Sequence, residues 1–213
     1  MGTRVLLVED HEIVRQGVRL RLEKESGIEV IAEAGDGRTA VALVSRHLPD
    51  IVVMDIGLPN LNGIEATRQI CDRETSVKVV ALSARADKRV SSMFQAGASA
   101  YVLKTESDRE LVRAIREVQA GRKYVSPQLI NPLIADYAQR LAEGAEPSFL
   151  TAREREVLQL IAEGKTTVQI ADQLVVSEKT VSNHRQNLMK KLGLNGVAEL
   201  TKYAIREGIT SLE

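Results

Sequence analysis

Five short runs of Val, Ile, Leu, Met and Ala fall near 4–8, 28–33, 51–54, 77–82 and 99–103. They alternate with five stretches of helical periodicity near 11–24, 37–47, 62–73, 86–96 and 107–120. The runs are too short for helices and nearly continuous in apolarity, as expected of strands buried on both faces. Strict alternation of strand and helix requires crossover connections, so the five strands form a parallel sheet with helices on both sides. Right-handed crossovers then leave few topologies.

Four runs end on polar side chains. Val5–Val8 stops at Glu9-Asp10, Ile51–Met54 at Asp55, Val79–Leu82 at Ser83 and Tyr101–Leu103 at Lys104. In a parallel sheet these ends converge on the edge where open α/β sheets place their chemistry. Glu9, Asp10 and Asp55 crowded together repel and raise one another's pKa. A hard divalent cation relieves that, and Mg²⁺ prefers few carboxylates, several waters and phosphate oxygens. Lys104 adds a point charge for an anion, and Ser83 can donate to a phosphoryl oxygen. These parts suit phosphoryl transfer onto an Asp side chain. The plain alternative is a solvated acidic rim around one salt bridge. Four suitable termini on neighbouring strands argue against it.

Composition adds little: 44% hydrophobic, 27% charged, with Lys+Arg equal to Asp+Glu at 29 each. Net charge therefore gives no sign of nucleic acid, though a neutral total can hide a local basic face. Cys71 is the single cysteine, which fits a reducing compartment, and reads as a small buried hydrophobe. No apolar run is long enough for a bilayer and no signal-peptide pattern is present, so a cytoplasmic protein is expected.

The alternation stops near Gly121. Between 122 and 147, Leu129, Leu133, Ile134, Tyr137 and Leu141 recur at helical spacing, marking a linker helix that packs on its own domain or on a second subunit. From Leu150 the pattern is wholly helical. Thr151 and Glu154 make a capping-box signature for a helix to about Glu163. Further helices fit 167–174, 178–192 with Ser177 as N-cap, and about 196–207. Domains at 1–121 and 148–213 follow, joined by the linker.

On the 178–192 helix, Val181, Leu188 and Leu192 share one face, with His184 beside them. Lys179, Ser182, Asn183, Gln186 and Lys190 gather opposite. Between Lys179 and Lys191 stand Lys179, Arg185, Lys190 and Lys191 and no acid, a local basic patch. A short helix, a tight turn at 175–177 and a polar-faced helix describe a helix-turn-helix. Geometry leaves a four-helix interaction module without DNA equally open.

Glu9-Asp10, Asp55-Ile-Gly-Leu-Pro59 with Gly63, Ser83-Ala84 and Tyr101-Val-Leu-Lys104 resemble the receiver domain of two-component response regulators over about 3–121. Leu150-Thr-Ala-Arg-Glu-Arg-Glu-Val-Leu158, Ile161–Gly164, Ile170-Ala171, and Ser177-Glu-Lys-Thr-Val181 with His184, Asn187 and Lys191-Leu192 resemble the LuxR-type DNA-binding domain over about 148–212. Together they resemble a NarL/FixJ-type response regulator. The resemblance implies a flavodoxin-like, doubly wound, five-stranded parallel sheet followed by a four-helix helix-turn-helix domain. It implies that Asp55 accepts a phosphoryl group from a sensor histidine kinase. Asp10, Asp55 and the Gly57 carbonyl would hold Mg²⁺, with Glu9 acting through water. Lys104, Ser83 and Ala84 would meet the phosphoryl group, and Tyr101 would rotate inward in concert. Pro59 and Gly63 would shape the loop. Many receivers carry a cis Pro after the lysine; Thr105 stands there, and a trans bond is expected.

By the same resemblance, Ser182, Asn183 and Gln186 contact bases, and Lys179, Thr180, Arg185 and Lys190 contact the phosphate backbone of promoter DNA. Asn and Gln pair bidentately with adenine, so A·T pairs are expected opposite Asn183 and Gln186. Val168, Ser182 and Gly196 replace residues that are commonly basic, which predicts fewer phosphate contacts and weaker salt dependence. The family implies an inactive form in which the receiver restrains the recognition helix, and a homodimer on phosphorylation. Dimer contacts fall near Val197 and Leu200, and RNA polymerase is a further partner. Two other functions compete. An aspartyl phosphatase commonly carries a second acid two residues after the nucleophile, but Gly57 occupies that place. Slow self-dephosphorylation, not turnover, is expected. A phosphorylation-independent regulator would use the receiver only as a dimerisation module; the intact acidic pocket argues against it.

Overall fold

The computed structural model describes residues 2–84, 89–105, 108–131, 133–135 and 150–210. The chain divides into two compact units, Met1–Arg140 and Leu141–Glu213.

The first unit alternates strand and helix: β1 (Thr3–Val8), α1 (Glu12–Glu23), β2 (Ile28–Ala34), α2 (Gly37–His47), β3 (Ile51–Asp55), α3 (Gly63–Arg73), β4 (Lys78–Ser83), α4 (Arg89–Gln95), β5 (Ala100–Leu103), α5 (Asp108–Gln119) and β6 (Tyr124–Val125). The strands are all parallel, in the order β2-β1-β3-β4-β5-β6. The order reverses after β1, which makes the β1/β3 boundary the switch point of a flavodoxin-like sheet. Alternate strand residues face opposite ways. Leu6, Val8, Val52, Met54, Val79 and Ala81 pack with residues of α2, α3 and α4. Val5, Leu7, Ile51, Val53, Val80 and Leu82 pack with Leu22 of α1 and with α5. That double burial is why these runs read as continuous apolar stretches.

The sheet has six strands, not the expected five. Tyr124 and Val125 pair with Ala100 and Tyr101. The 3₁₀ turn Pro127–Leu129 follows, with Leu129 fully buried in the α2–α4 core and Leu133 packed against it. Residues 122–129, assigned to the linker from sequence, thus complete the first unit. A two-residue strand has no periodicity to read. Residues 130–131 and 133–135 are helical; Tyr137 and Leu141 lie outside the described residues, as does the expected start of α4 at 86.

The second unit is α6 (Ala152–Ala162), α7 (Thr167–Leu174), α8 (Glu178–Leu192) and α9 (Val197–Arg206) around one apolar cluster. Local chemistry sets the ends. Thr151 and Glu154 form the expected capping box, and Thr166 with Gln169 forms a second one for α7. Ser177 caps α8 by accepting from Thr180 N, and Gly193 (φ 64°) ends that helix in the left-handed region. No helix among the described residues is long and apolar enough to cross a membrane.

Candidate functional site

Strand register assembles the pocket. Val8 stands opposite Met54, Asp55 opposite Leu82, and Ser83 opposite Leu103. Glu9, Asp55, Ser83 and Lys104 therefore emerge side by side at the C-terminal edge. Backbone bonds fix each end: Glu9 N donates to Ala34 O at 3.0 Å, Ile56 N to Leu82 O at 3.2 Å, and Lys104 N to Ser83 O at 2.7 Å. Among the described residues no peptide is cis, so Thr105 follows a trans bond as expected.

Asp55 is 5% exposed and Glu9 fully buried. The Lys104 ammonium joins them, with Nζ 2.6 Å from Glu9 Oε2 and 3.1 Å from Asp55 Oδ1. Asp55 Oδ1 also accepts from Ile56 N at 2.8 Å. Burial and then the Asp55 charge push the Glu9 carboxyl above its ordinary pKa, and Lys104 offsets only part of this. Burial pulls the Lys104 ammonium down, but Asp55 and Glu9 outweigh it and hold the group above its ordinary value. The pocket is thus short of positive charge and suits a hard divalent cation on its oxygens. Asp10, partly open to solvent, bonds the exposed His11, whose Nδ1 lies 2.8 Å from Asp10 Oδ1. Asp10 holds the imidazole above its ordinary pKa.

Gly57 is exposed beside Asp55; a Cβ built on it would stand 3.8 Å from Asp55 Oδ2. Gly63 is under a harder constraint. A Cβ there would lie 2.0 Å from the Asp55 carbonyl oxygen, so α3 can start against this turn only without a side chain. Asn62 caps α3, and Gly63 N donates to Ile56 O at 3.0 Å. Ser83 is buried and Ala84 exposed just beyond it. Tyr101 corrects an expectation: it is already 0% exposed, packed in the same cluster as Met93, Leu103 and Leu129. In this conformation the ring already lies inward.

Sequence reasoning missed the supports of the pocket. Arg15 donates to Glu9 O at 2.7 Å while Glu33 of β2 holds its Nε at 3.1 Å. His11 was passed over, although it adjoins the acid pair in sequence.

In the second unit, Val181 and Leu188 of α8 face the core, with Leu192 packed against it and His184 half-buried. Lys179, Asn183, Arg185, Gln186 and Lys190 are exposed, and Thr180 and Ser182 half-buried. Thr180 Oγ1 is engaged with Ser177 Oγ at 2.8 Å. Lys191 leaves the basic patch: its Nζ lies 2.7 Å from the buried Glu154 carboxylate, tying α8 to the start of α6. Arg153, from that same turn, donates to Leu174 O at the end of α7 at 2.9 Å. One helical turn thus braces both helices of the helix-turn-helix. Leu200, expected at a dimer contact, is 0% exposed inside the helical core, because α9 turns that face onto α6; Val197 is exposed.

Two family models match this chain. "Response regulator receiver domain" matches residues 5–116, and "Bacterial regulatory proteins, luxR family" matches residues 148–204. The transcriptional regulatory protein LiaR of Bacillus subtilis is 38% identical over 213 residues, covering 98% of this chain and 99% of LiaR. The response regulator UvrY of Escherichia coli is 37% identical over 218 residues, covering 98% and 96%. Among solved structures, a LuxR-family two-component response regulator from Aurantimonas aligns with a TM-score of 0.59 at 39% identity, covering 68% of this chain and 98% of that one. The RcsB response regulator in complex with DNA aligns at 0.58 and 25% identity, covering 97% and 99%.

Proposed function

The chain belongs to the response regulators that join a receiver domain to a LuxR-family DNA-binding domain, and from that premise we propose that phosphorylation of Asp55 controls its binding to promoter DNA. The observation that carries this is the buried Asp55 carboxylate held against Lys104 and Glu9 at the edge of the sheet.

Asp55 Oδ1 is engaged by Lys104 and Ile56 N, which leaves Oδ2, on the Gly57 side, to attack phosphorus. The oxygen–phosphorus bond forms as the phosphorus–nitrogen bond of a histidine kinase's phosphohistidine breaks. Lys104 then offers its charge to the transferred group, and Ser83 its hydroxyl. Asp10, Asp55 and the Gly57 carbonyl would hold Mg²⁺, with Glu9 acting through water; its charge would neutralise carboxylates and phosphoryl oxygens together. No acid stands at position 57 to activate water, so the phosphoryl group stays on Asp55 long enough to act as a signal, and slow self-dephosphorylation is the only hydrolysis.

The readout is α8. Its exposed Asn183 and Gln186, with the half-buried Ser182, read bases, while Lys179, Thr180, Arg185 and Lys190 position the backbone. RcsB dimers are described bound to DNA. That precedent supports a homodimer here, with the exposed Val197 rather than Leu200 at its contact. Such a protein works in the cytoplasm beside its promoters and RNA polymerase.

Two measurements test this. Intact mass after treatment with a small phosphodonor and Mg²⁺ should show one phosphoryl group on wild type and none on Asp55→Ala. Selection of binding sites should return A·T pairs opposite Asn183 and Gln186, with phosphorylated protein binding more tightly. Equal footprints for wild type and Asp55→Ala after phosphodonor treatment would end the proposal.

A further inference from the structure

We propose that Asn195 is a site of spontaneous deamidation, and that loss of its amide progressively weakens the helical unit as a DNA binder. The chain holds two Asn-Gly pairs, Asn62-Gly63 and Asn195-Gly196. Glycine in second place has no Cβ to screen its nitrogen, which can then reach the asparagine side-chain carbonyl. The structure separates the two pairs. Asn62 is 7% exposed, its side chain accepts from Glu65 N at 2.9 Å, and Gly63 N donates to Ile56 O at 3.0 Å. Both reacting groups there are held. Asn195 is exposed, in the irregular turn between α8 and α9. Among the described residues, neither its side chain nor Gly196 N makes a hydrogen bond. Nothing lies within 4 Å of a Cβ built on Gly196, so the approach is open.

Gly196 N gives its proton to solvent base and attacks Asn195 Cγ. The new N–Cγ bond closes a cyclic imide as the Cγ–Nδ2 bond breaks, and ammonia leaves with a proton from water. A second water opens the imide at Cγ, giving aspartate, or at the main-chain carbonyl, giving isoaspartate. No oxidant or cofactor enters. Either product perturbs the turn. Asn195 N donates to Glu199 Oε2 at 2.7 Å, so a carboxylate at 195 sets a like charge beside Glu199. Isoaspartate also routes the main chain through Cβ and Cγ, which adds a methylene to the turn. There is little slack to absorb it. Gly193 ends α8, Leu194 N donates to Met189 O at 3.0 Å, and Leu194 packs on the helical core. Leu200 of α9 is fully buried in that core. A longer turn therefore shifts α9 against α6 and loosens the unit that carries α8. Weaker DNA binding follows, and that consequence alone rests on the DNA-binding reading.

The full-length protein is held at mildly alkaline pH and sampled over days by peptide mass spectrometry. The peptide spanning Asn195 should gain about 1 Da as amide becomes acid, at a rate that rises with pH. It should react at least about tenfold faster than the Asn62 peptide, which must first open the Asn62 and Gly63 hydrogen bonds. Part of the product should accept methyl groups from an isoaspartyl methyltransferase. Gly196→Ala suits the extended backbone there (φ −157°) and the open space, so it keeps the fold. Its added Cβ should slow the gain at 195 at least about tenfold. Aged wild type should lose affinity for a DNA site selected with fresh protein, while aged Gly196→Ala keeps its own. Equal rates at 195 and 62, or equal rates at 195 in wild type and Gly196→Ala, overturn the site. Complete modification at 195 with DNA affinity intact overturns the consequence. Fresh protein that binds no DNA, yet gains mass at 195 and not at 62, refutes the DNA-binding reading and supports the site.

Discussion

Replacing Gly63 with Ala tests whether the close seat of α3 holds the Asp55 turn. The added Cβ would meet the Asp55 carbonyl oxygen at 2.0 Å and Ile56 Cα at 2.9 Å, where ordinary contact begins at 3.4 Å. The two backbones must part by about 1.4 Å, and no rotamer change can relieve a clash between main chains. Overpacking of this kind costs about 1–3 kcal/mol. The Gly63 N–Ile56 O bond lies in the same turn, and its loss adds about 1 kcal/mol. Gly17 supplies the control. It sits in α1 with nothing within 4 Å of a Cβ, so Gly17→Ala should stabilise by about 1 kcal/mol. Both variants change the unfolded chain alike, so that gain cancels in their difference, which reports the clash and the lost bond together at about 2–4 kcal/mol. Hydrogen-exchange mass spectrometry on the full chain reads β3 and α1 peptides apart from the helical unit, which matters because two units need not unfold together. A displacement near 1 Å can cost about a hundredfold in reactivity. Phosphorylation of Asp55 by a small phosphodonor should therefore slow at least about tenfold in Gly63→Ala. Equal protection of β3 and equal phosphorylation rates in the two variants would refute the reasoning.

Lys104→Met strands two buried carboxylates, which costs about 3–5 kcal/mol. In chelator its receiver should unfold first on heating, and Mg²⁺ should rescue it more than it helps wild type; an equal Mg²⁺ response would contradict this. Burial pushes the Glu154 carboxyl up, but Lys191 at 2.7 Å and Thr151 outweigh it and hold the pKa below the ordinary 4.5. Its stabilisation is therefore present above pH 4.5 and lost as pH falls through the lower folded value. Glu154→Gln should cost the helical unit about 1–2 kcal/mol at neutral pH and flatten that acid loss; a wild-type unit equally stable at about pH 3 and about pH 7 would rule it out. Val175 is a β-branched residue in the left-handed region (φ 53°, ψ 51°) at 90% exposure. Val175→Asn should stabilise the unit by about 1 kcal/mol in urea unfolding, and a loss of stability would show that the conformation is unstrained.

Legibility from sequence followed the distance over which each interaction acts. β3 is buried on both faces along its whole length, so Ile51–Met54 announced both a strand and the position of Asp55. Thr151 with Glu154, and Ser177 ahead of α8, act within four residues, and the sequence shows them. Lys104 pairs with acids some fifty and ninety-five positions away, yet it too was legible, because parallel strands bring their C-terminal ends to one edge whatever separates them in the chain. What stayed hidden had no such rule behind it. Lys191 looked like part of a DNA-facing patch because its partner, Glu154, lies 37 residues earlier on another helix. Leu200 looked available because the helix that covers it cannot be read from α9 itself. Tyr101 is buried in a cluster that includes Leu129, a residue placed in the linker until β6 carried the chain back onto the sheet. The phosphoacceptor pocket is thus the part of the molecule most dictated by strand order. The brace between α6 and α8, and the closed state of Tyr101, depend on side chains meeting across elements. They are the places where a related sequence could keep the pocket and still alter how it is read out.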